Sequence, residues 1–227
     1  MTQITDHLAE VRARVANAAS AAGRSADEIT IVTVSKKQPI EAIRAAYAAG
    51  QRHFGESFVQ EAVAKIESID LPAIQWHFIG HIQANKTREI ARHFDWVHTV
   101  DRAKIARRLD AQRPHYAPPL NACIQVNLAQ EPQKSGLSAD ALPALAAELA
   151  QLKRLRFRGL MTMPPADAEA PAIASLFRAL DTLKDQLVAQ GFALDTLSMG
   201  MSADLEIAVA CGSTMVRIGT AVFGPRS

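Results

Sequence analysis

Near the end of the chain, Ser198-Met199-Gly200-Met201-Ser202 and Gly219-Thr220 form two small-residue turns that flank a run carrying Arg217. Glycines let backbone approach a ligand closely, hydroxyls and free N–H groups accept a phosphate, and a strand-end arginine offers a fixed, permanently charged fork. This pattern points to a phosphorylated ligand. Far upstream, Ile31-Val32-Thr33-Val34-Ser35 runs straight into Lys36-Lys37. A lysine in an apolar-walled pocket loses hydration, deprotonates more easily and can form a Schiff base with an aldehyde; a solvated pair opening a loop is the plainer reading. Alternation puts Lys36 and Lys37 on opposite faces without choosing between them.

Arg217 sits among Met215, Val216 and Ile218, so its charge needs either a carboxylate partner or a ligand. Against a pyridine aldehyde, a group that stays protonated would leave the ring nitrogen unprotonated and the ring a weak electron sink. Ser202 followed by Asp204 and Glu206 has the look of a helix start with the hydroxyl as cap. Ser57, after Phe54-Gly55-Glu56, could cap a helix or touch a ligand. His77 and His81 are four apart, but a glycine intervenes and the helical metal-ligand geometry is missing. Lys134, in Lys134-Ser135-Gly136, adds one cation to the same rim.

Short β-branched or aromatic runs alternating with alanine-rich helical patterns must position these groups. Eight runs are readable: Ile29 to Ser35, Arg52 to Phe54, Gln75 to Ile79, Trp96 to Thr99, Asn121 to Asn127, Arg156 to Met161, Leu194 to Leu197 and Thr214 to Ile218. Ile4, Leu8, Val11 and Val15 mark a helix over 1–23 before the first run. The expected fold is α/β, a single (β/α)8 TIM barrel with an extra N-terminal helix, forming one domain over 1–227. Such barrels gather binding groups at the carboxyl ends of the strands and often hold phosphates after strands seven and eight.

The 227 residues are 48% hydrophobic and 21% charged with a net charge of +2, which argues for a globular core and against a nucleic-acid or membrane partner. Cys123 and Cys211 lie far apart in apolar stretches, so a reducing, cytoplasmic compartment is expected, with no metal site. The first residues lack the apolar core of a signal peptide.

Val34-Ser35-Lys36, Phe54-Gly55-Glu56, Trp76-His77-Phe78-Ile79-Gly80 with Gln83 and Asn85-Lys86, Lys134-Ser135-Gly136, Ser198 to Ser202 and Val216-Arg217-Ile218-Gly219-Thr220 together resemble the pyridoxal phosphate homeostasis family. The match spans nearly the whole chain in order. The resemblance implies a barrel similar to the N-terminal domain of alanine racemase, with Lys36 as the Schiff-base lysine for pyridoxal 5′-phosphate. It implies Arg217 at the pyridine nitrogen, Ser202, Gly219 and Thr220 at the phosphate, Met199 and Gly200 shaping that turn, and Met161 near the ring. It further implies a monomeric cofactor carrier or buffer without established turnover, serving apo-enzymes transiently.

Two departures stand out. Ser57 replaces the asparagine that commonly follows Phe-Gly-Glu, and Gln38 stands where the family often has a second lysine, leaving Lys134 for any transfer role. A racemase-type enzyme is the alternative, but it needs a second proton-transfer group opposite the cofactor, and neither Tyr47 nor Tyr116 falls at a strand end. A Schiff-base aldolase would need an acid–base residue, for which Glu56 is the nearby choice.

Overall fold

The structure, a computed structural model, describes residues 2–129 and 135–224. Eight parallel strands close on themselves in sequence order: β1 (Thr30–Val34), β2 (His53–Glu56), β3 (Gln75–Phe78), β4 (Trp96–Val100), β5 (Leu120–Gln125), β6 (Leu155–Met161), β7 (Thr196–Ser198) and β8 (Met215–Ile218). Every expected run contributes a strand. The seventh is shorter than expected, because the Leu194 amide bonds back to the Phe192 carbonyl in a local turn and leaves that segment off the sheet. The second reaches further, to Glu56. The barrel closes through β1 and β8, with Val32 opposite Arg217 and Thr33 opposite Ile218.

Strand alternation separates two interiors. Phe54, Phe78, Val97, Ile124, Leu160, Leu197, Val216 and Ile218 face outward and are buried under the helices. Inside the barrel, Val32, Trp96, Cys123, Met161 and Met215 form a small apolar plug of their own, beside the buried polar side chains of His77, His98, Ser198 and Arg217. Branched aliphatic layers usually fill such barrels, so this polar content asks for a reason. Helices α2 (Ile40–Ala48), α3 (Val59–Ser68), α4 (Thr87–His93), α5 (Ala103–Gln112), α6 (Leu142–Ala150), α7 (Ala170–Ala189) and α8 (Leu205–Ala210) follow strands one to seven. The α5 stripe Ile105, Ala106 and Leu109 shows why they dock: its apolar residues recur at helical spacing on the buried face.

Two further helices complete the wall. The opening helix α1 (Thr2–Ala21) buries Leu8, Val11 and Val15 against α8 and the short closing helix α9 (Thr220–Phe223). Its Arg14 donates to the Ser202 carbonyl at 3.0 Å and pairs with Glu206 at 2.7 Å. Close packing also dictates glycines: a Cβ on Gly159 would lie 1.8 Å from the Thr196 carbonyl oxygen, and one on Gly80 2.2 Å from that of Ser57. Among the described residues no helix is long and apolar enough to cross a membrane.

Candidate functional site

At the carboxyl end of β1 the chain leaves the barrel through Ser35-Lys36-Lys37. Lys37 turns into the left-handed region at φ 60 and is exposed, whereas Lys36 is half-buried and lines two adjoining cavities. The turn, not strand alternation, separates the two lysines. The smaller cavity, about 290 Å³, is walled by Lys36, Ser57, Ser202, Arg217, Gly219 and Thr220, with Met163 and Met201 at its edge. The larger, about 670 Å³, shares Lys36, Ser57 and Ile79 and opens past His81, Lys86 and Gln125. Among the described lining residues of both there are lysines and an arginine but no carboxylate, a charge balance that favours an anionic ligand.

Arg217 projects from β8 with 4% of its surface exposed. Its Nη1 donates to Ser198 Oγ at 2.8 Å and its Nη2 to the Thr162 carbonyl at 3.1 Å. No carboxylate among the described residues comes within ion-pair distance of it, and burial pushes its guanidinium down to about 10, still charged at neutral pH. Behind Ser198 a chain of imidazoles crosses the barrel: Ser198 Oγ to His98 Nδ1 at 2.7 Å, His98 Nε2 to His77 Nδ1 at 2.9 Å, and His77 Nε2 to His53 Nδ1 at 3.0 Å. Arginine can only donate, so the Ser198 hydroxyl proton goes to His98 Nδ1, and each imidazole then donates from Nε2 to the next. The reverse assignment would leave that hydroxyl proton without an acceptor in the chain. Burial holds all three rings neutral, with His98 down to about 3 and His77 well below its ordinary range. The polar interior is thus a string of neutral groups ending on a fixed cation. Among the described residues no histidine, cysteine or carboxylate cluster has metal-binding geometry.

The opposite end of the small cavity is built by the two turns after β7 and β8. Gly200, at φ 98, accepts the Arg217 amide at 2.9 Å, and a Cβ there would lie 2.5 Å from that of Ala208. Ser202 does not cap α8, contrary to the sequence pattern. Asp204 takes the cap position and its Oδ1 accepts the Met201 amide, while Ser202 Oγ accepts the Ala221 amide at 3.4 Å and so ties the two turns together. Nor does Ser57 cap α3, whose cap position is Phe58. Met161 and Met199 are fully buried and line neither cavity: Met161 belongs to the apolar plug below, and Met199 to the outer core. Lys134 lies outside the described residues. Tyr47 bonds the Pro72 carbonyl, and Tyr116 is exposed between α5 and β5, both away from the cavities.

Sequence reasoning missed a buried charge cluster beside Lys36. Lys65 Nζ, on the inner face of α3, donates to Glu61 Oε1 at 2.6 Å, Ser35 O at 2.7 Å and Glu56 Oε1 at 2.9 Å. Glu56 Oε1 also accepts from Ser35 Oγ at 2.7 Å, its Oε2 is buried without a partner, and burial raises its carboxyl in spite of Lys65. The signal was available: Glu61 and Lys65 stand at i, i+4, and Lys65 continues the buried positions Val59 and Ala62. His98 was equally readable, two residues from Trp96 on one face of a strand.

Residues 7–227 match the family described as alanine racemase, N-terminal domain. A pyridoxal phosphate homeostasis protein of Pseudomonas aeruginosa is 52% identical over 100% of this chain and 97% of its own length. The chain belongs to the pyridoxal phosphate homeostasis family. PipY of Synechococcus elongatus, solved with PLP bound, is 40% identical with a TM-score of 0.87, over 98% of this chain and all of its own. An alanine racemase from Clostridium difficile shares the fold alone, at 12% identity and a TM-score of 0.80 over 99% of this chain and 57% of its own.

Proposed function

We propose that this protein binds pyridoxal 5′-phosphate in the smaller cavity and serves intracellular vitamin B6 homeostasis as a non-catalytic carrier or buffer. The observation that carries the reading is the convergence of a half-buried lysine, a fully charged arginine and the Ser202/Gly219/Thr220 turns on one cavity without a carboxylate. That set suits a phosphorylated aldehyde with an aromatic ring. When bound, the cofactor supplies an aldehyde that condenses reversibly with an amine and a ring that draws electrons when its nitrogen is protonated. Lys36 provides the amine and anchors the ligand as a Schiff base.

Arg217 provides a donor for the ring nitrogen and, keeping its proton, leaves that nitrogen unprotonated. Ser202, Gly219 and Thr220 supply the phosphate end, Gly200 permits the turn, and Ser57 gives a short hydroxyl to the cavity wall. A weakly electron-withdrawing ring supports holding over turnover. PipY with PLP bound and the names of the curated relatives support the same assignment. One barrel domain over 1–227, a monomer, transient contact with apo-enzymes and the cytoplasm belong to this reading; the free thiols of Cys123 and Cys211 support the last.

The test is an absorbance titration of the purified protein with pyridoxal 5′-phosphate, followed by borohydride reduction and peptide mapping. A long-wavelength imine band with label on Lys36, abolished in a folded Lys36→Ala variant, is expected. A reducible adduct retained in Lys36→Ala, or label spread over surface lysines, refutes the assignment. Incubation of the loaded protein with L-alanine and chiral analysis of the product tests the racemase alternative.

A further inference from the structure

The residues on either side of Lys36 are held by groups that line neither cavity. Ser35 is fixed three ways: its amide donates to the Gly55 carbonyl at 2.9 Å, its hydroxyl to Glu56 Oε1 at 2.7 Å, and its carbonyl accepts Lys65 Nζ at 2.7 Å. Lys37, in its left-handed conformation, donates its amide to Glu61 Oε1 at 2.5 Å. A left-handed β-carbon-bearing residue is strained and persists only where neighbours over-determine it. Lys65 joins both supports, since its ammonium also bonds Glu61 and Glu56 and so spends all three protons on this one corner.

We propose that Lys65, acting with Glu61, is a positioning residue for Lys36: it clamps the backbone before and after it and thereby aims the Lys36 amine into the cavity. The inference rests on Lys36 being the covalent anchor. Burying an ammonium between two carboxylates is a poor route to stability alone. A covalent anchor, by contrast, profits from a backbone fixed to a fraction of an ångström. Condensation joins the Lys36 nitrogen to the aldehyde carbon and releases one water, with no redox change. The clamp acts on how often the amine stands within reach of that carbon.

Two ligands separate this role from a general structural one: pyridoxal 5′-phosphate, and its 4′-deoxy analogue, which has a methyl group in place of the aldehyde. Each is titrated into the unsubstituted protein, Lys65→Met and Glu61→Ala, with folding checked by circular dichroism and imine formation followed by stopped-flow absorbance. Analogue affinity is expected to stay within about twofold. The rate of imine formation at Lys36 should fall roughly ten- to a hundredfold in Lys65→Met, the scale on which small misplacements act, and less in Glu61→Ala. Unchanged imine formation in the folded variants overturns the clamp, as does a parallel loss of analogue binding. Where Lys65→Met does not fold, Glu61→Ala decides by the same criteria. No adduct at Lys36 in the unsubstituted protein overturns the anchor itself, and that failure is seen before any variant is compared.

Discussion

Replacing Arg217 by methionine separates a ligand-binding arginine from a structural one, because the two roles predict different effects on the ligand-free protein. Burial lowers the guanidinium from its ordinary value to about 10. At about 1.4 kcal/mol per tenfold change in protonation equilibrium, the buried charge costs roughly 3 kcal/mol. Against this stand two hydrogen bonds, to Ser198 Oγ and the Thr162 carbonyl, worth about 1.5 kcal/mol or more each as bonds from a charged donor. Methionine has similar length and no charge, and Ser198 keeps its bond to His98. These terms nearly cancel, so the ligand-free Arg217→Met protein should keep its stability to within about 2 kcal/mol, which at this size is a change in Tm of no more than about 4–8 °C. The rise in Tm on adding pyridoxal 5′-phosphate should shrink. Urea and thermal unfolding with and without ligand give both numbers. Loss of more than about 2 kcal/mol from the ligand-free protein, with the ligand-induced rise intact, would instead make Arg217 a structural pin.

The neutral histidine string predicts acid sensitivity. His98 titrates at about 3 in the folded protein against 6.5 ordinarily, so its stabilisation is present above 6.5 and is lost as the pH falls towards 3, because the unfolded chain takes up the proton first. Unfolding free energy followed from pH 6.5 to 4.5 should fall less steeply in His98→Gln, by about 1.4 kcal/mol per pH unit; parallel slopes would show that His98 is not held neutral. Gly80→Ala puts a Cβ 2.2 Å from the Ser57 carbonyl oxygen, a backbone clash that side-chain rotation cannot relieve. A loss of about 2 kcal/mol or more on urea unfolding is expected, together with weaker cofactor binding because Ser57 must move; unchanged stability would refute the close contact.

Much of this architecture was legible because strand and helix periodicities differ and each of the eight strands carries its own apolar signature. Lys36, Ser57, Ser202, Arg217, Gly219 and Thr220 were legible for a simpler reason: each lies at or just past the carboxyl end of a strand, and in a parallel barrel those ends meet. Met161 also ends a strand yet sits below the cavity, because alternation tells inside from outside but not depth along the axis. Ser202 misled as a cap, since its partner is an amide 19 residues away. Lys65 escaped notice because a lysine on a helix is ordinarily solvated, and only the meeting of α3 with the end of β1 buries it.

The order in which the chain is made bears on when it can first hold a ligand. Lys36 stands at the end of β1, whereas Arg217, Gly219 and Thr220 belong to β8 and the turn beyond it, and β1 finds its second neighbour only when β8 arrives. Helix α1 waits equally long, since its partners Ser202, Glu206 and Val222 are all late residues. A growing chain that has exposed the lysine but not the arginine has half a pocket and an open sheet. The cavity that Lys36 shares with Arg217, Gly219 and Thr220 is therefore complete only once β8 has joined β1.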